Sequence, residues 1–299
     1  MDGCVPLTLI RGNYQVLGAS PDGDSVRFTP TDPQAWAKAG IAARVNATGG
    51  AQLRLDAIDA LETHYTPRGG TRWHQPAALG QAAADRLLEL LGFTAVTRNP
   101  DGTVTAARPA TRPGFVLTRF ADKYGRPVAL AYPDDSGIIG LPGTGREDGA
   151  SVWLDVAGLR GSTNYQLLAQ GLVYPTFYSR LFVELRAALS EQAVAARQAG
   201  LGVWAADQTS SGFTVTSRSQ VQDELVVLPK LFRRLADYLS LQAPDDVDLA
   251  GFGALLAARN DRLFTVPDGH ATSLDTLVQT TGQKVTLTVW PERIVFLEA

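Results

Sequence analysis

Acidic side chains occur in two short segments of this chain, and each segment borders a predicted strand. Asp22 and Asp24 share a tight Asp-Gly-Asp turn, and Asp59 and Glu62 come directly after a strand that carries Arg54. Ca²⁺ takes oxygen ligands in a loose geometry, which carboxylates from two separate turns can provide. Since Asp-Gly turns are common, either segment alone has a simpler explanation as a surface turn.

Two arginines accompany these acids. Arg54 precedes the second acidic segment, and Arg126 follows a Tyr-Gly turn, where little side-chain bulk would hinder a ligand. A guanidinium group can bind a phosphate through two parallel hydrogen bonds. Hydrolysis of a phosphodiester needs a metal that polarises the phosphate, a base that directs a water, and cations that balance the developing charge. The residue types therefore match that chemistry.

Local patterns predict the strands that must position these residues. Residues 14–18 and 25–28 are typical of a hairpin around the Asp-Gly turn. The alternation of polar and apolar residues over 52–57 indicates a half-buried strand that ends before Asp59. Residues 116–120 and 127–132 read as two further strands that flank a turn.

Helices are predicted where apolar residues recur at helical spacing between start and stop signals. Pro76 opens one helix that Gly92 ends, a short helix covers 164–170, and Ser179 caps a long helix that runs to about Ala199. In the remainder of the chain, helices are predicted over 224–239 and 249–259, and strands over 262–266, 284–290 and 293–297.

The order and spacing of three blocks resemble the staphylococcal nuclease (thermonuclease) family. The blocks are Asp-Gly-Asp-Ser-Val at 22–26, Arg-Leu-Asp-Ala-Ile-Asp-Ala-Leu-Glu-Thr at 54–63 and Asp-Lys-Tyr-Gly-Arg at 122–126. The likeness continues through the short helix at 164–173 and ends at 191–204, with its closing Gly-Leu-Gly-Val-Trp. It covers residues 12–207.

The resemblance implies a Ca²⁺-dependent nuclease and a metal-binding role for four residues. Asp24, Asp59 and the backbone carbonyl of Ala60 would ligate Ca²⁺, and Asp22 would be an outer-shell carboxylate. The family usually has Thr where Ala60 stands, a change that a backbone ligand survives.

The resemblance also implies roles toward the substrate. Glu62 would orient the attacking water and could deprotonate it, while Arg54 and Arg126 would hold the scissile phosphate and stabilise its transition state. The residues implied to contact the neighbouring phosphate, the nucleoside or a base are Lys123, Tyr124 and Tyr178. Two segments, 25–53 and 63–75, are longer than in compact family members and could reshape or cover the cleft. Asp56 is an additional acid that could pair with an arginine.

The fold implied by the resemblance is mainly β with α-helices: a five-stranded OB-type Greek-key barrel with three helices over 11–207. Residues 1–10 are an N-terminal extension, 208–212 are predicted to be a linker, and 213–299 a small C-terminal α+β domain. Because 208–299 contains 8 basic and 11 acidic residues, this domain is expected to lie outside the catalytic machinery. An interaction or regulatory role is predicted for it.

Charge and composition limit the partners. The net charge is −3, from 27 basic and 30 acidic residues, whereas proteins that bind nucleic acid by bulk electrostatics are strongly basic. Binding is therefore expected at a local site only. The single cysteine excludes an intrachain disulfide. The sequence shows no signal peptide and no membrane span, so a cytoplasmic location is expected.

The leading functional hypothesis is a Ca²⁺-dependent endonuclease that hydrolyses DNA or RNA. Single strands should be preferred, because a small cleft accommodates unstacked nucleotides more easily. The alternative is a non-catalytic module of the same fold that binds nucleic acid or protein. A homo-oligomer or a protein partner could use residues 213–299.

Overall fold

The computed structural model describes residues 6–68, 70–134 and 147–298. They form a mixed α/β fold with two compact units. The first unit contains the described residues of Met1–Asp56, Ala84–Leu167 and Phe182–Leu189. The second contains those of Ala57–Ala83, Leu168–Leu181 and Ser190–Ala299.

The strands of the described residues are β1 (Pro6–Gln15), β2 (Ser25–Pro30), β3 (Ala51–Leu55), β4 (Ile58–Asp59), β5 (Ala95–Arg98), β6 (Val104–Arg108), β7 (Thr111–Ala121), β8 (Pro127–Pro133), β9 (Ser151–Trp153), β10 (Tyr174–Pro175), β11 (Phe177–Tyr178), β12 (Phe213–Thr214), β13 (Arg262–Thr265), β14 (Ala271–Ser273), β15 (Val278–Thr281), β16 (Lys284–Leu287) and β17 (Ile294–Phe296). The helices are α1 (Ala35–Lys38), α2 (Ala77–Leu90), α3 (Val156–Arg160), α4 (Thr163–Ala169), α5 (Val183–Gln198), α6 (Arg218–Asp223), α7 (Pro229–Leu239), α8 (Phe252–Arg259) and α9 (Leu274–Leu277), with 3₁₀ turns at Gly202–Ala205 and Pro291–Arg293.

Five strands of the first unit close into a β-barrel. β1 pairs antiparallel with β2 and with β7, β2 pairs with β3, and β7 pairs with β8. The barrel closes where β3 pairs in parallel with β8. This arrangement is consistent with the predicted OB-type barrel. β9 pairs antiparallel with the first three residues of β1, Pro6 to Thr8.

Aromatic side chains fill the barrel interior. Tyr14 and Tyr132 are fully buried, and the backbone N–H of Tyr132 donates to the Tyr14 hydroxyl at 3.0 Å. That hydroxyl lies 2.9 Å from the Phe115 carbonyl, so its burial leaves no unpaired polar atom. The Phe28 ring lies 5.1 Å from the Tyr14 ring. Trp36 lies on α1, within the long segment 25–53. Its ring packs edge-on against that of Phe28, with the ring centroids 6.1 Å apart.

The second unit contains two small sheets, with strand orders β11-β17-β13-β14 and β12-β16-β15, and the pair β4-β10. Its core draws on residues from both sides of position 207. Members of this core include Leu61, Trp73, Tyr174, Val203, Trp204, Leu228, Phe232, Leu235, Phe252 and Phe296. The compact units therefore differ from the predicted division into 11–207 and 213–299.

The segment predicted as a linker packs inside the second unit. Thr209 is fully buried; its hydroxyl accepts from the Leu228 N–H at 2.9 Å, and its carbonyl accepts from the Leu287 N–H at 2.9 Å. Ser and Thr composition indicated a loop, but the Thr209 hydroxyl serves here as an internal hydrogen-bond partner.

Two predicted helix boundaries also differ from the structure. The helix expected from Ser179 begins at Val183, because the Ser179 N–H donates to the Phe296 carbonyl at 2.9 Å instead of beginning a helix. The helix expected over 224–239 begins only at Pro229, which occupies the first turn of α7, and the separate helix α6 ends at Asp223. None of the described helices is both long and apolar enough to cross a membrane.

A fragment that ends at Asp207 should not fold as the full chain does. It would expose Leu61, Trp73 and Trp204, which are at most 7% exposed in the full chain, and burial of one large apolar side chain contributes about 1.5–3 kcal/mol. Urea unfolding and size-exclusion chromatography of the fragment should show aggregation or a broad transition at lower urea. Cooperative unfolding at the full-chain midpoint would contradict this.

Candidate functional site

Strand register places Arg54 on the outer face of the barrel. On β3 it lies opposite Ser25 of β2 and Val128 of β8. Its neighbours Leu53 and Leu55 point to the other face and are fully buried. Because side chains alternate along a strand, Arg54 is directed away from the barrel core.

Asp24 and Arg126 lie at the same end of the barrel as Arg54. The Asp24 carbonyl accepts from the Leu55 N–H at 2.8 Å, which fixes Asp24 beside the end of β3. Arg126 comes two residues before Val128, the β8 partner of Arg54, and two strand residues span about 7 Å. We call Asp24, Arg54 and Arg126 the barrel cluster. The structure therefore brings together three residues from separate sequence blocks.

Asp122, to which the sequence assigned no role, orients Arg126. Asp122 accepts from the Arg126 Nε at 2.8 Å and from the backbone N–H of Tyr124 and of Arg126 at 2.9 and 3.0 Å. Gly125 in this turn has a φ of +78°, and its carbonyl accepts from the Arg44 N–H at 2.7 Å. The long segment 25–53, which carries Arg44, thus supports the turn that contains Arg126.

The predicted substrate residues Lys123 and Tyr124 also lie on this turn. The Tyr124 side chain is 65% exposed. The Lys123 Nζ lies 5.6 Å and the Arg126 Cζ 5.7 Å from its ring centroid. An exposed aromatic ring with cations beside it is suited to stacking a base next to its phosphate.

Asp22 is held within its own turn. Its carboxylate accepts from the Ser25 hydroxyl at 2.5 Å, and that hydroxyl also accepts from the Gln52 Nε2 at 3.0 Å. The interaction ties the Asp-Gly-Asp turn to β3, which carries Gln52 and Arg54. Asp22 therefore positions the turn on which Asp24 lies.

Asn164 fixes the end of β3 against β8. This residue of α4 is fully buried. Its side-chain amide donates to the carbonyls of Asp56 at 2.9 Å and Ala129 at 3.0 Å, and it accepts from the Ala131 N–H at 3.0 Å. Every hydrogen bond serves backbone that leads to or from the barrel cluster, so Asn164 is a positioning residue.

The remaining predicted metal and catalytic residues belong to the second unit. Asp59 is 1% exposed on β4, which pairs with β10 at Tyr174. The chain turns into β4 at Ala57, whose φ of +69° is rare for a residue other than glycine. Ala60 follows and is also buried. The break in alternation after 52–57 was predicted, and it occurs at this turn.

Buried Gln75 positions the backbone of Glu62. The Glu62 N–H donates to Gln75 Oε1 at 3.1 Å, and the Gln75 N–H donates to the Glu62 carbonyl at 2.7 Å. The Gln75 Nε2 donates to the Val227 carbonyl at 2.8 Å. Gln75 thus connects the second long segment, Glu62 and the residues just before α7.

A guanidinium from α7 binds both Asp59 and Glu62. The Arg233 Nη2 lies 2.7 Å from Asp59 Oδ2 and its Nη1 lies 3.2 Å from Asp59 Oδ1, while Nη1 also donates to Glu62 Oε1. Burial acts to lower the pKa of Arg233, but the two carboxylates outweigh it and raise that pKa well above its ordinary value. We call Asp59 and Glu62 the carboxylate pair.

Other charges hold α7 in place. Asp261 accepts from Arg234 through two bonds of 2.6 and 2.8 Å, and the Lys230 Nζ lies 3.2 Å from it. Burial acts to raise the pKa of Asp261, but these cations lower it to about 2. On the next turn, Asp237 accepts from the Tyr65 hydroxyl at 2.6 Å. Arg233 therefore extends from a helix that is anchored on both sides of it.

The second long segment packs within the second unit. Besides the Tyr65–Asp237 bond, its Trp73 ring lies edge-on to Phe232 of α7 at 6.5 Å.

Tyr178, the predicted base-stacking residue, lies on β11 with its ring 5.9 Å from that of Phe296, and the Lys230 Nζ lies 5.8 Å from its centroid.

The carboxylate pair, as arranged, does not fit Ca²⁺. Both oxygens of Asp59 already bind a guanidinium group, and a cation cannot share them without close repulsion from Arg233. Across residues 6–68, 70–134 and 147–298, no three His, Cys, Asp or Glu side chains form a group that could hold a metal ion. Asp59 can become a metal ligand only after Arg233 leaves it.

The chain matches none of the protein-family models with which it was compared, and no curated protein matches it either. Function must therefore be inferred from the residues and their geometry.

Sequence reasoning missed Arg233, Gln75 and Asp122. Asp122 lies within a quoted block, four residues before Arg126, a spacing that allows an ion pair across a turn. Gln75 gave no signal, because its role depends on a distant carbonyl. Arg233 lies in a segment with net negative charge. Lys230, Arg233 and Arg234 nevertheless recur at helical spacing, which indicated a basic helix face within that acidic segment.

Replacement of Gly125 by Ala should disturb the Arg126 turn. A Cβ there would lie 2.8 Å from the Arg44 Cβ and 3.0 Å from its backbone N, in a backbone conformation that disfavours side chains. We expect a loss of about 1 kcal/mol or more in unfolding free energy, measured by urea unfolding. Gly102→Ala is the matched control, because Gly102 has a φ of +89° but open space around it. Equal loss in both variants would show that only backbone strain matters.

Proposed function

We propose that this protein hydrolyses phosphodiester bonds in DNA or RNA, with single strands as the preferred substrate. The barrel cluster would bind the scissile phosphate through Arg54 and Arg126. Tyr124 and Lys123 would bind the adjacent nucleotide. The resemblance to the staphylococcal nuclease family assigns the direction of the attacking water to Glu62.

The register of β3 with β8 is the observation that carries this proposal. It aligns Arg54 with Val128, and Arg126 lies in the turn that leads into β8, two residues before Val128. Two guanidinium groups at one end of a barrel could contact different oxygens of one phosphate and balance the charge of its transition state. Barrels of this type commonly bind nucleic acid on one face.

The proposal includes dependence on Ca²⁺ because the resemblance to the staphylococcal nuclease family implies it. Asp24 has a side chain of the type that Ca²⁺ prefers. Asp59 does too, but Arg233 occupies it in this conformation. Cleavage must therefore be measured both in the presence of Ca²⁺ and in the presence of a chelator.

A non-catalytic module that binds nucleic acid is the second candidate. The contact of Arg233 with Glu62 favours it, because a carboxylate paired with a guanidinium is a weak base. Binding of a single-stranded oligonucleotide without its cleavage, in Ca²⁺ and in EDTA, would select this candidate.

Arg54→Gln and Arg126→Gln should each lower the cleavage rate of a labelled single-stranded oligonucleotide by roughly 10²–10³, because a positioned charge donor is lost from the transition state. Arg86→Gln is the control, since Arg86 pairs with Glu89 on a helix surface at 2.7 Å. Circular dichroism checks that all variants fold.

Glu62→Gln should lower the same rate by roughly 10²–10⁴, as expected when a general base is removed. Its effect separates catalysis from binding, because affinity for the oligonucleotide should change little. Wild-type rates in Arg54→Gln, Arg126→Gln and Glu62→Gln would overturn the assignment.

A further inference from the structure

We infer that Arg233 is a built-in competitor of divalent cations: it binds the carboxylate pair in place of a metal, and Ca²⁺ can use Asp59 only by displacing it. The inference deepens the proposed function and depends on it only for the identity of the cation. It gives a defined role to the segment after 207, which was predicted to lie outside the catalytic machinery.

The contact has the geometry of a specific site. The guanidinium group binds both oxygens of Asp59, at 2.7 and 3.2 Å, and one oxygen of Glu62. The Asp59 side chain is 2% exposed, that of Glu62 16% and that of Arg233 20%. A planar fork that bridges two shielded acids is a strong arrangement for an ion pair.

The helix that carries Arg233 does not need to move for this contact to form. Its apolar residues Leu231, Phe232 and Leu235 are fully buried. On the charged side, Asp261 holds Arg234 and Lys230. Arg233 is therefore tethered close to the carboxylate pair at a high effective concentration, and only its own side chain has to rotate to release the acids.

Electrostatics makes the competition exclusive. A divalent cation within bonding distance of Asp59 would lie a few ångströms from a guanidinium group whose charge cannot be lost. The repulsion would act in a shielded environment, where it is much stronger than in water. Metal binding must therefore break the contacts of Arg233, and those contacts weaken the apparent metal affinity.

The test is isothermal titration of Ca²⁺ into the full chain. Arg233→Gln should bind Ca²⁺ about 10- to 100-fold more tightly than the wild type, because charge-assisted hydrogen bonds no longer compete. Arg259→Gln is the matched control: it removes an arginine of the same unit that pairs with Asp237 at 2.9 Å, and its Ca²⁺ affinity should equal that of the wild type.

Two further variants keep the test decisive. In Asp59→Asn/Arg233→Gln the gain in affinity should disappear, which locates the gain at the carboxylate pair. Arg233→Lys keeps the charge but loses the fork, so it should show a smaller gain. If Arg233→Gln does not fold, the Arg233→Lys titration decides the question.

Equal Ca²⁺ affinity in the wild type and in both Arg233 variants would overturn the inference. So would a gain of the same size in Arg259→Gln. Cleavage is scored separately: a cleaving wild type with equal affinities refutes the competition and leaves the nuclease proposal intact. Tighter Ca²⁺ binding by Arg233→Gln, with no cleavage by either protein, supports the competition and refutes the nuclease.

Discussion

The ion pair of Arg233 with Asp59 and Glu62 is the interaction on which the second unit depends. Two acids three residues apart are shielded from water, and without a cation their mutual repulsion and desolvation would destabilise that arrangement. The guanidinium group supplies the charge, and it comes from a helix residue 171 positions after Glu62 and 174 after Asp59. The charges of residues 57–83 and of α7 therefore stabilise each other, although the two segments are distant in the chain.

The barrel depends on a different constraint, the parallel pairing of β3 with β8. It closes the sheet and aligns Arg54 with the start of β8, which Arg126 directly precedes. Asn164 supports the pairing from α4, and Asp122 holds Arg126 within its turn. Strand pairing and these side-chain hydrogen bonds thus fix the backbone at Arg54 and the side chain of Arg126. In the proposed function, this would be the preorganisation on which electrostatic catalysis depends.

The barrel could be predicted from sequence, because the signals for its strands are local. Alternation over 52–57 and the turns at 22–24 and 122–126 define strands and their ends. Their order resembles that of the staphylococcal nuclease family, and the five-stranded barrel of the structure is consistent with the OB-type barrel predicted from that resemblance. The helix boundary at Val183 could not be predicted, because Ser179 caps a helix only when its backbone is not already paired with a distant strand.

The role of residues 208–299 could not be predicted for a related reason. Composition averages charge over a segment, and an excess of acid concealed Arg233. Thr209 belonged to a stretch typical of linkers, yet it is buried because its hydroxyl and carbonyl have partners in Leu228 and Leu287. Long-range polar contacts of this kind leave no periodic pattern in the sequence.

The central electrostatic claim can be tested most directly by a double-mutant cycle. Urea unfolding of the wild type, Asp59→Asn, Arg233→Gln and the double variant gives the coupling energy of the two side chains. A shielded ion pair predicts a coupling of about 2–3 kcal/mol or more, with each single variant strongly destabilised. A coupling within about 0.5 kcal/mol of zero, as for independent sites, would contradict the account.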